Sequence, residues 1–154
     1  MMSSAHSLGK KLKQTPNWLI WVFVVVSFIG FLDASYLTVS HYAGFSLNCN
    51  IIKGCEQVTN SPYAIVFGIP VALLGTLYYL TVLILSLLYA DTKNQTVLRI
   101  IFPLTVAGFL ASGWFVYLQV YVIKAICQYC ILSAITSTLL FICGLITLKY
   151  RKVS

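Results

Sequence analysis

Four long stretches of the chain are almost entirely apolar, and short polar segments separate them. They cover residues 18–39, 63–89, 97–122 and 127–148. Each reaches the roughly 20 residues that an α-helix needs to cross the hydrocarbon core of a bilayer. None alternates apolar and polar residues with the period of two typical of a membrane β-strand. The pattern therefore predicts an all-α membrane protein, a bundle of four transmembrane helices that satisfy their own backbone hydrogen bonds.

The composition supports this class and excludes two others. Of the 154 residues, 60% are hydrophobic and 8% are charged. A soluble domain has about 45–50% apolar and about 25% charged residues, and a disordered chain combines low hydrophobicity with many charges. Residues 1–154 are therefore expected to form a single integral membrane domain in contact with lipid.

The basic residues predict the orientation of the helices. Lys and Arg concentrate in the cytoplasmic connections of membrane proteins, which explains the net charge of +7 without a nucleic-acid partner. Lys53 and Lys124 lie in the loop 40–62 and the turn 123–126, which are therefore expected on the extracytoplasmic face. The other eight lie in the expected cytoplasmic tails 1–17 and 149–154 or near the loop 90–96: Lys10, Lys11, Lys13, Lys93, Arg99, Lys149, Arg151 and Lys152.

Four of the five cysteines form two pairs on the expected extracytoplasmic side. Cys127 and Cys130 make a C-x-x-C motif at the start of the fourth helix, where their spacing places both sulfurs on one helical face. The N–H groups and dipole of a helix N-terminus favour a thiolate, the nucleophile of thiol–disulfide exchange. Cys49 and Cys55 lie in the loop. In an oxidising compartment, this arrangement favours two communicating disulfides.

A metal site is the alternative interpretation of the same cysteines, because C-x-x-C also binds zinc. Cys49 and Cys55 could supply two further ligands, although no second C-x-x-C exists and His41 is the only histidine nearby. A redox relay instead needs a soluble dithiol donor and an acceptor within the membrane. A lipid-soluble quinone suits that place, since the chain has no P-loop, dinucleotide fingerprint or haem-attachment motif.

From residue 30 to about residue 140, the chain resembles the vitamin K epoxide reductase family in its bacterial form. The DsbB proteins are functionally similar, but they place the C-x-x-C in the first outer loop. The wide cysteine pair followed by a late C-x-x-C is the specific feature. The resemblance rests on these segments: DASYLT at residues 33–38, Cys49 and Cys55 with Ser61, FGIP at residues 67–70, and CQYC at residues 127–130.

The resemblance implies an activity. Such proteins oxidise a thioredoxin-like, DsbA-type partner at the bacterial inner membrane and pass two electrons to a quinone, ubiquinone or menaquinone, which supports disulfide bond formation. By this resemblance, Cys49 and Cys55 take electrons from the partner, Cys127 exchanges with a loop cysteine, and Cys130 lies against the quinone. Cys55 is the favoured exchange partner. Many bacterial relatives carry a fused thioredoxin-like domain that this sequence lacks, so the partner is expected in trans.

Five more positions are expected to line the quinone site by the same resemblance. Ser61, Tyr63 and Phe67 match residues near the quinone. Ala64 and Ala134 stand where vertebrate relatives have an asparagine and a tyrosine that hold vitamin K. Quinone reduction is therefore favoured, and vitamin K epoxide reduction is kept as the alternative.

Several single residues have both a structural and a functional interpretation. Asp33 is a carboxylate inside a span, which indicates either a function or a hydrogen bond to Ser35 or His41. His41 is either a proton shuttle or an interfacial side chain. Cys143 is expected to be a free thiol in the core.

Local signals also predict the start of the second helix. Ser61 and Pro62 are expected as its N-cap and first residue. Pro70 is expected inside the helix, where it either kinks the helix beside a pocket or is purely structural. Small residues spaced four apart, such as Gly30 with Ala34 and Gly68 with Ala72, predict close helix packing.

Overall fold

The computed structural model describes residues 15–152, and four of its helices are long and apolar enough to cross a membrane. The predicted all-α, four-helix membrane fold is confirmed. Lys10, Lys11 and Lys13 lie outside the described residues, as do residues 153 and 154. The helices are α1 (Asn17–Ala43), the short α2 (Cys55–Thr59), α3 (Val71–Thr92), α4 (Gln95–Tyr117) and α5 (Gln128–Lys152). A π-helical segment, Leu118–Ile123, extends α4.

The four long helices share one core. α1 packs against α3 and α5, and α4 packs against α5 and α3. The core is formed by buried apolar side chains that include Phe23, Tyr79, Val82, Ile101 and Leu140. Many other large apolar side chains point outward, which in a membrane protein places them against lipid acyl chains.

Close packing of α1 on α3 depends on Gly30. The ring of Tyr79 occupies the space that a Cβ at Gly30 would need. The hydroxyl of Tyr79 donates to the carbonyl oxygen of Ser133 at 2.7 Å, and it lies 2.7 Å from the hydroxyl of Thr136. Tyr79 therefore joins α1, α3 and α5 at one level. The small residue Gly30 permits the close approach of α1 to α3 that this contact needs, as small residues commonly do in membrane bundles.

The second predicted span, 63–89, begins too early. Helix α3 begins only at Val71, after a 3₁₀ turn at Pro62–Ala64 and a hairpin that pairs Ile65–Val66 with Ile69–Pro70. Phe67 and Gly68 form the hairpin turn with φ angles of 52° and 79°, which an α-helix does not accommodate. Gly68 therefore does not form a helical pair with Ala72.

The expectations for Ser61, Pro62 and Pro70 are corrected for the same reason. Pro62 begins the 3₁₀ turn, and the hydroxyl of Ser61 donates to the carbonyl of Val58 at 2.7 Å instead of capping a helix. Pro70 is the extended residue immediately before α3 and kinks nothing. Proline suits this place because it fixes φ and has no N–H to leave unpaired.

The other boundaries shift by a few residues. Helix α1 continues past residue 39 to Ala43, and α4 begins at Gln95, where the side chain of Asn94 accepts from the Thr96 N–H at 2.9 Å. The connection between α3 and α4 is therefore two residues rather than the predicted 90–96. Helix α5 begins one residue after Cys127, so the predicted turn 123–126 is 124–127.

The Gly30 contact makes a stability prediction. Gly30→Ala should lower the free energy of unfolding in mixed micelles by about 1–3 kcal/mol, because the new methyl group overpacks the contact with Tyr79. The matched control is Gly113→Ala within α4, where a Cβ meets no atom within 4 Å. Helix propensity should make that variant equally or more stable. Equal destabilisation of the two variants would contradict the packing role of Gly30.

Candidate redox site

The loop between α1 and α3 carries a disulfide between Cys49 and Cys55, whose Cα atoms are 6.4 Å apart. The two sulfur-bearing residues differ in burial. Cys55 begins α2 and is fully buried, whereas Cys49 is partly exposed. One end of the disulfide is therefore accessible from solvent, and the other is enclosed by the protein.

Cys55 packs into one buried cluster with Cys127, Val58 and Ala125. The cluster depends on Gly54. A Cβ at Gly54 would lie 2.5 Å from the carbonyl oxygen and 2.8 Å from the amide nitrogen of Ile126. Only glycine permits so close an approach of the loop to the segment that precedes α5.

The two residues inside the C-x-x-C hold the loop in place. Gln128 accepts a hydrogen bond from the Ile51 N–H at 3.3 Å, and the Tyr129 hydroxyl donates to the Asn48 carbonyl at 3.2 Å. The ring of Tyr129 also packs on Tyr36 of α1, with centroids 5.1 Å apart. The motif therefore positions the loop disulfide as well as supplying its own thiols.

Cys127 and Cys130 are both free thiols. A hydrogen bond from the Cys130 thiol lowers the pKa of Cys127 to about 7, and the backbone N–H groups of Cys130 and Tyr129 act in the same direction against the effect of burial. These N–H groups belong to the first turn of α5, where helix amides lack intrahelical acceptors. The thiolate form of Cys127 is thus favoured relative to that of an ordinary cysteine.

Gln119 is a site residue that sequence analysis missed. It lies in the π-helical segment and is almost fully buried. Its side-chain oxygen accepts from the Cys127 N–H at 3.2 Å, and its amide also hydrogen-bonds the Cys130 thiol. The available signal was a lone amide side chain in an otherwise apolar span, and π-helical turns are often found at functional sites.

An apolar cavity of about 380 Å³ opens beside Cys130. Cys130 lines it, but the fully buried Cys127 does not, so the two thiols of the motif face different partners. Of the predicted cavity residues, four are brought together here: Ser61, Tyr63, Ala64 and Ala134. Small residues on two more helices widen the space: Ala72 and Gly75 on α3, and Ala107, Gly108 and Ala111 on α4.

Phe67 does not line the cavity, and that expectation is wrong. Its side chain is 99% exposed at the tip of the hairpin. The expectation assumed a helix through residues 63–70, and the hairpin turn instead points this side chain away from the bundle.

Tyr78 is a second cavity residue that the sequence did not reveal. Its ring packs on Gly108, and its hydroxyl is buried with no hydrogen-bond partner among residues 15–152. A buried hydroxyl without a partner is costly. It is therefore available to donate to a carbonyl group of a molecule in the cavity.

The other singled-out residues are placed as follows. Asp33 is only 7% exposed, and neither carboxylate oxygen has a hydrogen-bond partner in the described part of the chain, so the expected bond to Ser35 or His41 is absent there. His41 lines the cavity and packs edge-on against Tyr42. Cys143 is buried in the core, as expected. Within residues 15–152, no three His, Cys, Asp or Glu side chains form a potential metal site.

Comparison with known proteins identifies the family. The family model for the vitamin K epoxide reductase family matches residues 21–145. The chain is also 33% identical over 131 residues to the thiol-disulfide oxidoreductase LTO1 of Arabidopsis thaliana, covering 79% of this chain and 35% of that protein. The chain thus spans about a third of the length of this curated relative. By the family match, this multi-pass membrane chain belongs to the vitamin K epoxide reductase family, a family of thiol oxidoreductases.

Proposed function

We propose that this protein oxidises the dithiol of a thioredoxin-like, DsbA-type partner and passes the two electrons through both cysteine pairs to a membrane quinone. The overall reaction converts a dithiol and a quinone into a disulfide and a quinol. One observation carries the proposal: Cys127 packs with the loop disulfide while Cys130 faces an apolar cavity. A connected route therefore runs from a solvent-accessible sulfur to a lipid-like space.

The first exchange is assigned to Cys49. A partner thiolate attacks this partly exposed sulfur, and Cys55 leaves as a thiolate. The partner's second thiol then attacks the partner sulfur of this mixed disulfide, which forms the partner's disulfide and expels Cys49. Two exposed apolar side chains, Phe45 and Ile51, flank the loop disulfide and offer a surface for the partner. The loop pair is left as two thiols.

The second exchange is assigned to Cys55 and Cys127. The Cys55 thiolate attacks Cys127 in a Cys127–Cys130 disulfide, and Cys130 leaves. Cys49 then attacks Cys55, which restores the loop disulfide and expels Cys127. A thiol of low pKa is the better leaving group, and the pKa of about 7 at Cys127 suits this step.

In the third step, Cys127 and Cys130 form their disulfide again at the cavity, and the two electrons and two protons that they lose balance reduction of the quinone to a quinol. The cavity has a volume typical of small-molecule sites and a mostly apolar lining, both suited to a quinone as substrate. Tyr78 offers a donor for a quinone carbonyl. Ala64 and Ala134 line the cavity but provide no side-chain donor, which argues against vitamin K epoxide reduction.

The orientation follows from the charge distribution. We propose that the protein lies in the bacterial inner membrane with the ends of α1 and α5 that carry the tails in the cytoplasm. The loop disulfide and the cavity entrance are then extracytoplasmic, where disulfides persist. The eight Lys and Arg residues near the opposite connections support this orientation.

Cys130 is predicted to be indispensable for quinone reduction. Purified Cys130→Ala, given a dithiol reductant and a soluble ubiquinone analogue, should not reduce the quinone, because the sulfur that borders the cavity is gone. Quinone absorbance measures the reaction. Cys143→Ala is the matched control, since it removes a buried thiol from the core, and it should retain nearly full activity. A normal rate in Cys130→Ala would refute the site.

Double variants can identify the exchanging loop cysteine. In C49A/C130A, the remaining Cys55 and Cys127 should form a disulfide under mild oxidation, because both lie in the same buried cluster. The matched variant C55A/C130A leaves Cys49 and Cys127, which should cross-link far less. Mass spectrometry of unreduced peptides measures both products. Predominant Cys49–Cys127 linkage would reverse the assignment.

Titration of Cys127 tests its role as leaving group. In Cys143→Ala with the loop disulfide intact, thiolate absorbance should develop with a midpoint near pH 7. About a tenth of Cys127 should be thiolate at pH 6 and about nine tenths at pH 8. Replacing Cys130 by Ala in the same protein should move the midpoint to higher pH, because the thiol hydrogen bond to the thiolate is lost. An unchanged midpoint would contradict this cause.

A further inference from the structure

Asp33 is the one acidic residue in the interior of a membrane-spanning helix, away from its first and last turns. The chain has two others: Glu56 lies in the loop, and Asp91 lies at the end of α3. Carboxylates inside a span are costly and are usually retained for a function. Asp33 is buried, and neither of its oxygens has a hydrogen-bond partner within residues 15–152. A hydrogen bond that stabilises the helix therefore does not explain why a carboxyl group is buried at this position.

Contacts between α1 and α5 place Asp33 at the level of the C-x-x-C motif. One turn before Asp33, Gly30 packs on Tyr79, whose hydroxyl binds Ser133 of α5. One turn after Asp33, Tyr36 packs on Tyr129. Since the two helices run in opposite directions, Asp33 lies opposite the stretch of α5 between residues 129 and 133, which contains Cys130.

The groups around Asp33 are acidic or neutral. Electrostatic interactions connect its carboxyl group with Cys127 before α5, with Cys130 and Tyr129 on α5, and with Tyr79 on α3. Tyr36 lies one turn away on α1. The charged form of a carboxyl group is costly to bury without a partner. Uptake of a proton removes that cost, and a neighbouring thiol that must lose a proton is a ready source.

We propose that Asp33 is the proton acceptor for Cys130 when the motif is oxidised, a role that rests on the proposed function. Formation of the Cys127–Cys130 disulfide releases two electrons to the quinone and two thiol protons. Cys127 reacts as its favoured thiolate, having lost its proton beforehand, and the proton of Cys130 goes to the Asp33 carboxylate. The quinol takes two protons, one returned from Asp33 and one from water. Tyr79 interacts with Asp33 and also lines the cavity, so Asp33 lies close to the cavity wall across which its proton returns.

The first test is a single turnover of the fully reduced protein with a soluble ubiquinone analogue. Asp33→Asn should slow quinone reduction by about a hundredfold or more, as expected for loss of a general base. Its residual rate should rise steeply with pH, because deprotonation of Cys130 then depends on hydroxide. Asp33→Glu, which keeps a carboxyl group, should retain more of the rate. The matched control Asp91→Asn should behave like the wild type.

A second readout observes the proton itself. The infrared difference spectrum between the dithiol and disulfide forms, with diamide as oxidant, should contain a carboxyl band in wild type and Asp91→Asn but not in Asp33→Asn. Cross-linking of Cys55 to Cys127 in C49A/C130A should persist when Asp33→Asn is added, which excludes a collapsed fold. A wild-type rate and pH profile in Asp33→Asn would overturn the proposal.

The two proposals can fail separately. If the wild type reduces no quinone but the carboxyl band depends on Asp33, then quinone is not the electron acceptor, while the assignment of Asp33 as proton acceptor is correct. If the wild type reduces quinone and the band is unaffected by Asp33→Asn, only the role of Asp33 is wrong.

Discussion

The close approach of the loop backbone at Gly54 to the backbone of Ile126 is the contact on which the site depends. It brings Cys55 into the buried cluster with Cys127 at the start of α5. Thiol–disulfide exchange requires direct attack of one sulfur on another, so no longer-range coupling can replace this contact. Gln128 and Tyr129 then fix the loop laterally. The loop is thus held directly against the start of α5, and the helix bundle fixes the position of both.

The C-x-x-C motif divides its two thiols between two environments. Cys127 is enclosed with the loop cysteine, where helix amides and the Cys130 thiol favour its thiolate. Cys130, one turn along, borders the apolar cavity. Gln119, which lies in the π-helical segment at the end of α4, contacts both. One helical turn thereby separates a thiol enclosed by the loop from a thiol that borders the cavity.

The sequence predicted the four spans because lipid demands long apolar helices, and it predicted the cysteine pairs because their spacing is distinctive. It failed over residues 63–70, where apolar residues suit a hairpin and a helix equally, and this error also misplaced Phe67. Gln119 and Tyr78 were missed for another reason. Gln119 matters because it is buried and hydrogen-bonds Cys127, and Tyr78 matters because its buried hydroxyl has no partner in the described chain. Both properties depend on chain segments distant in sequence.

The apolar surroundings that suit a quinone also create a proton problem. In the proposed relay, electrons pass between sulfurs in contact, but the thiol proton of Cys130 cannot enter a water-poor site as a free ion. A fixed group nearby must accept this proton. That group must have no hydrogen bond or ion pair that stabilises its charged form. Asp33 meets both conditions, since it lies at the level of Cys130 and its oxygens are unpaired in the described chain. Because no hydrogen bond in the described chain stabilises its charged form, uptake of a proton lowers the cost of burying the Asp33 carboxyl group.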